Sequence, residues 1–285
     1  MMQEKLDVGK MIFHHTADAW EIWGYPLPRF PDLFVFHVGK HTIPINLSPT
    51  KHVVFMVIAA LLVFLTMKLA GRAMERQRAG EKAPKGFAAA IEGLVLWVRN
   101  DICIANIGHD GAKFAPLIIS LFFFILYCNL MGLVPHSATP TGNLAITAGL
   151  AILVFLTVEI SGFLKLGPKG YLGTIFPHFP GTEGPAAVAL AVFMSPIELM
   201  SKLVKPFALA VRLFGNMTAG HFVILSLFGI VFIFGQLGFV SWGIGIVTAA
   251  IVLGVMLLEM IVAILQAYVF ALLSAVFIGL MQHEH

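Results

Sequence analysis

The stretch from Trp242 to Met281 covers 40 positions and carries one formal charge, Glu259. As a helix rising 1.5 Å per residue it would run about 60 Å, twice the roughly 30 Å of a bilayer's hydrocarbon core. Before it, Ala186 to Phe234 covers 49 positions with only Glu198, Lys202, Lys205 and Arg212 formally charged. That helix would reach about 73 Å. Pro196 and Pro206 offer places to kink, but the 29 positions from Pro206 to Phe234 still make about 43 Å. Two consecutive overlong segments must tilt strongly in lipid. Lying that flat makes sense if they pack against another large membrane object.

Composition agrees with a membrane location. Of 285 residues, 59% are hydrophobic and 12% charged, whereas a water-facing surface is typically about a quarter charged or more. The expected fold class is an all-α polytopic membrane protein. It should have about five membrane helices plus one interfacial amphipathic helix, the last two membrane helices being long and strongly tilted. The net charge of +3 is small and spread out, which gives nucleic-acid binding no support. Cys103 and Cys128 lie in apolar surroundings without metal-like spacing and read as buried structural thiols. Residues 1 to 30 lack the basic, apolar, small-residue order of a cleaved signal, so insertion is expected to rely on the first membrane helix.

In chain order, residues 1 to 50 are mixed in character and form an N-terminal segment. Leu33 to Val38 and His41 to Ile45, separated by Gly39-Lys40, suggest a short β-hairpin. Pro26, Pro28 and Pro31 argue against a long helix before it. His14, His15, His37, His41 and His52 match no familiar ligand spacing and read as solvated or interfacial. Val53 to Leu69 is the first membrane helix. The end of that helix and the loop after it hold Lys68, Arg72, Arg76, Arg78, Lys82 and Lys85 against Glu75 and Glu81, and basic loops stay cytoplasmic. The N-terminal segment is then outside. Phe87 to Ile104 aligns Phe87, Ile91, Leu94, Val98 and Ile102 on one stripe, as in an interfacial helix. Pro116 to Val134 and Asn143 to Leu164 are further crossings, the latter containing Glu159. The loop Lys165 to Pro185 returns two lysines, Lys165 and Lys169, to the inside.

Arg212 stands among Ala208, Leu209, Ala210, Val211, Leu213 and Phe214. A guanidinium cannot shed its charge, and placing it at mid-helix costs at least about 2.5 to 3.5 kcal/mol on insertion scales. Arg212 and Asn216 share a helix face at i and i+4. Glu198 lies about 40° from the face of Arg212, and Glu259 and Gln266 share a face within about 20°. His221 points close to the opposite side from Arg212, toward a different cavity. Each has a plainer reading: Glu198 paired with Lys202, Asn216 and Gln266 as polar packing groups, His221 and Glu259 as one buried pair. Together, six such groups on two apolar helices mark an ion or proton path.

Several of these residues carry a family resemblance. They are Pro196-Ile197-Glu198, Lys205-Pro206, Arg212-Leu213-Phe214-Gly215-Asn216-Met217 with Ala219-Gly220, and Leu265-Gln266-Ala267-Tyr268-Val269-Phe270. Asn129-Leu130-Met131-Gly132-Leu133-Val134-Pro135 and the acidic, histidine-bearing C-terminus add to them. From about residue 50 to 285 the chain resembles subunit a of the F-type ATP synthase membrane sector. The resemblance implies that Arg212 is the arginine facing the rotating ring of small subunits, approached by Gln266 from the last helix. It implies that Asn216, His221 and Glu259 line the half-channel open to the outside, and Glu198 the one open to the cytoplasm. In the familiar enterobacterial form the acid and histidine occupy the opposite positions; here His221 and Glu259 are exchanged, as in mitochondrial forms.

The same resemblance implies a stationary proton-conducting subunit in a bacterial inner membrane, multi-pass, with its C-terminus cytoplasmic. Its partners would be the ring of small membrane subunits (the c-ring), the peripheral-stalk b subunits and the bilayer. No Gly-rich phosphate loop ending in Lys-Ser/Thr is present, so no ATP site, cofactor or metal is expected, and the chain is no enzyme by itself. A secondary ion-coupled transporter is the alternative, but it should show repeated halves, and no internal repeat is visible. A purely structural scaffold would leave Arg212 unexplained.

Overall fold

The computed structural model describes residues 20–22, 25–28, 34–38, 41–45, 48–78, 86–134, 137–176, 184–234 and 239–283. His14, His15, Lys82, Lys85, Pro135 and the C-terminal Glu284-His285, used above, lie outside these. Two short antiparallel pairs precede the helices. Strand β1 (Glu21–Ile22) pairs with β2 (Tyr25–Pro26). Strand β3 (Phe34–Val38) pairs with β4 (His41–Ile45), Phe34 opposite Ile45 and Val38 opposite His41.

Most of the remaining described residues are helical. Helix α1 is Lys51–Arg78, α2 is Phe87–Trp97, α3 is Gly111–Gly132, α4 is Leu144–Gly173, α5 is Pro185–Phe234 and α6 is Phe239–His283. Five helical stretches are long and apolar enough to cross a membrane, as the composition required. At 50 and 45 residues, α5 and α6 far exceed the roughly 20 needed for one crossing. Pro196 and Pro206 both sit inside α5 without ending it. The all-α membrane fold is thus observed.

On the α2 stripe Ile91, Val98 and Ile102 are buried within the chain, while Phe87 and Leu94 are exposed. After Trp97 the chain continues as a π-helical segment, Val98–Ile104. That segment also buries Cys103, and Cys128 on α3 is buried as well, as their apolar surroundings suggested. The connection expected over 165–185 interrupts the helix at Gly167, but helical turns resume from Pro168 to Gly173. Helix α4 bends at Gly167, whose φ of 69° is left-handed, and Pro168 begins the next helical turn. Glycine supplies that φ at no steric cost, and proline suits a first helical position.

The chain divides into two compact units, 1–62 with 127–143 and 215–264, and 63–126 with 144–214 and 265–285. In the second, Trp97 stacks on Tyr268 at 5.5 Å and meets Phe122 edge-on at 6.3 Å. There Gly279 allows α6 to press against the backbone at Asn106, where a Cβ would lie 3.1 Å from the carbonyl carbon. Ala263, Ala267, Ala271 and Ala275 form an i, i+4 row along α6 that is almost wholly buried. Small residues let helices approach closely where lipid provides no hydrophobic drive. In the first unit, Asn129 is fully buried; its Nδ2 donates to the Ala263 carbonyl at 3.3 Å and its Oδ1 accepts from Thr141 Oγ1 at 2.7 Å.

Candidate functional site

In the unit containing residues 144–214 and 265–285, three expected residues take different environments. Glu198 is half-buried and lines a small cavity with Glu159, Lys202, Lys205 and Phe277. The cavity holds about 40 Å³, more than the roughly 10–15 Å³ that one water requires. Arg212 is exposed on α5, although Leu209, Ala210 and Leu213 beside it are buried. Its guanidinium makes no hydrogen bond or ion pair with another described residue. Its exposed neighbours are apolar, with Phe207 68% and Val211 41% exposed. Gln266 is buried on α6.

The cavity contains a feature that sequence reasoning missed. Lys202 Nζ lies 3.9 Å from Glu159 Oε2, with the two side chains only 10% and 15% exposed. Lys202 also donates to Thr174 Oγ1 at 2.7 Å and stands 4.9 Å above the Tyr171 ring. The Tyr171 hydroxyl donates to Glu159. The ion partner of Lys202 is therefore Glu159 on α4, and not Glu198 one turn away. Lys205 faces an aromatic ring, with Nζ 5.7 Å from the centroid of Phe277. The one available sign was a lone carboxylate in the apolar run of α4, which by itself names no partner.

In the unit containing residues 127–143 and 215–264, the other three residues appear. Asn216 is exposed on α5. His221 is half-buried, and its Nε2 lies 2.7 Å from Thr139 Oγ1. Glu259 is buried on α6 against Gly220 of α5. A Cβ at Gly220 would overlap Glu259 Oε1 and lie 2.7 Å from its Cδ, so the glycine is what admits the carboxyl. Glu259 Oε2 is buried without a hydrogen-bond partner among the described residues. No ion pair joins His221 to Glu259 among those residues, so the buried-pair reading does not hold. Thr139 and Gly220 carry no charge or periodic signal that would have singled them out. No cluster of three or more metal-ligating side chains occurs among the described residues.

Comparison with known proteins places these residues in context. Residues 43–279 match the family model described as ATP synthase A chain. The ATP synthase subunit a of Chloroherpeton thalassium is 42% identical over 283 residues, spanning 99% of this chain and 78% of its own length. The ATP synthase subunit a 2 of Chlorobaculum tepidum is 41% identical over 273 residues, spanning 95% of this chain and 72% of its own. The ATP synthase subunit a of Myxococcus xanthus is 41% identical over 246 residues, spanning 85% and 76%.

Proposed function

The chain belongs to the ATP synthase A chain family, and from that premise we propose that it is the stationary proton-conducting subunit of an F-type ATP synthase, without catalysis of its own. It is a multi-pass membrane protein and a component of the synthase's membrane sector. The reading rests on one observation above others: Arg212 is exposed on an apolar helix face, with no partner among the described residues. A permanent cation at bilayer depth costs several kcal/mol unless something meets it, and a carboxylate on a neighbouring chain would meet it.

A ring carboxylate moving through lipid is stable only when neutral. About 4 Å from Arg212, at an effective dielectric near 20, its ionised form gains roughly 4 kcal/mol. Proton loss beside the arginine and proton return elsewhere then become comparable in free energy. Arg212 also repels protons from a direct path through the protein, as fixed cations do in other pores. Gln266, on α6, would adjust the approach to Arg212.

Glu198 and its water-sized cavity serve the half-channel to the cytoplasm; Asn216, His221 and Glu259 serve the half-channel to the outside. Each charge crossing releases about 2.3 kcal/mol per 100 mV, and two offset half-channels turn that release into one-way rotation. The ring of small subunits and the peripheral-stalk b subunits are the partners. The membrane is the bacterial inner membrane, with the N-terminus outside and the C-terminus cytoplasmic. Replacing Arg212 by alanine should abolish ATP-driven proton pumping in inverted vesicles while the chain remains inserted. Pumping at the unaltered rate would refute the proposal.

A further inference from the structure

Part of the connection between α3 and α4 is buried. Ala138, Thr139, Pro140 and Thr141 are all removed from the surface. Irregular backbone at membrane depth is tolerated where it is buried in protein or lines a wet cavity. Here the hydroxyls of this segment each have a polar partner. Ser137 Oγ donates to the carbonyls of Met131 and Val134, and Thr141 donates to Asn129. Thr139 alone reaches a titratable group, His221 Nε2 at 2.7 Å.

Thr139 is held there by a second glycine. A Cβ at Gly132, at the end of α3, would overlap Thr139 Oγ1 and lie 2.7 Å from Met217 Cε. The missing side chain therefore makes the space in which the threonine packs. With Thr139 buried, the hydroxyl is held in one place against the imidazole.

We propose that the Thr139 hydroxyl is the proton relay to His221, an inference that rests on His221 lining the outer half-channel. A hydroxyl both donates and accepts. In one inward step Thr139 Oγ1 accepts a proton from a hydronium ion on the outer side, leaving neutral water, as its own O–H proton passes to the His221 Nε2 lone pair. The hydroxyl is regenerated and the imidazole becomes imidazolium, which then releases the Nδ1 proton inward. No bond other than O–H and N–H changes, and no co-reactant is required.

The test uses the assembled complex in vesicles, with the catalytic head stripped and passive proton conduction measured under an imposed potential. Thr139→Val keeps the shape without the hydroxyl and should slow conduction at least about tenfold, while Thr139→Ser restores most of it. Should Thr139→Val fail to assemble, Thr139→Ala tests the same loss in a smaller side chain. Wild-type conduction in the valine or alanine variant overturns the relay. Equal loss in the serine and valine variants also overturns it, since the defect is then one of packing. His221→Ala separates the two levels. If it blocks conduction and Thr139→Val does not, only the relay fails; if it conducts normally, the half-channel reading of His221 fails and the relay with it.

Discussion

The Glu159–Lys202 pair allows a prediction with a worked magnitude. At 3.9 Å and an effective dielectric near 20, the attraction is about 4 kcal/mol. Both side chains are nearly buried, so each ion has given up most of its hydration, and removing one partner strands the other. Breaking a buried pair in this way typically costs about 3–5 kcal/mol. Replacing both ions by neutral groups of similar size is often close to neutral. Lys202→Met should therefore destabilise the chain by about 4 kcal/mol, because among the described residues Glu159 then keeps only the Tyr171 hydroxyl as a donor. The double variant Glu159→Gln/Lys202→Met should return to within about 1 kcal/mol of the parent. Unfolding of the purified chain in mixed micelles, titrated with denaturing detergent, measures both. A single variant within about 1 kcal/mol of the parent would refute the reasoning. So would a double variant as unstable as the single, since that would make the stabilisation one of packing and not of charge.

Two further perturbations test other contacts. Gly220→Ala makes a methyl overlap Glu259 Oε1 and lie 2.7 Å from its Cδ, against about 3.5–4 Å for relaxed carbon contact, so the carboxyl must move by at least about 1 Å. A misplacement of that size costs on the order of a hundredfold in rate; ATP-driven pumping should fall accordingly, and normal pumping would contradict the placement of Glu259. Asn129→Leu orphans the Thr141 hydroxyl, at about 1–3 kcal/mol, while the Ala263 carbonyl keeps its bond within α6, and a thermal-inactivation midpoint unchanged from the parent complex would contradict it.

The helical architecture was legible from sequence because the bilayer imposes it: an apolar run without internal hydrogen bonding cannot exist in lipid, so length and charge suffice to place a helix. Arg212 stands out in the sequence for the same reason, since one charge in such a run has no cheap explanation. The bend at Gly167 was legible only as glycine and proline in series, and the expected loop from Lys165 holds further helical turns up to Gly173 because proline can open a new turn as well as end one.

What the chain order alone determined was that five apolar helices form, and that Glu198, Arg212, His221, Glu259 and Gln266 lie in hydrocarbon-grade surroundings. Which groups meet was decided only by tertiary packing. Thr139 and His221 are 82 positions apart, and Lys202 selected Glu159 on another helix over the carboxylate one turn away on its own. Periodicity reports which face a residue occupies. It cannot report what an adjacent element presents to that face, because that depends on close packing: here Gly279 admits the backbone at Asn106, while Gly132 and Gly220 admit the side chains of Thr139 and Glu259.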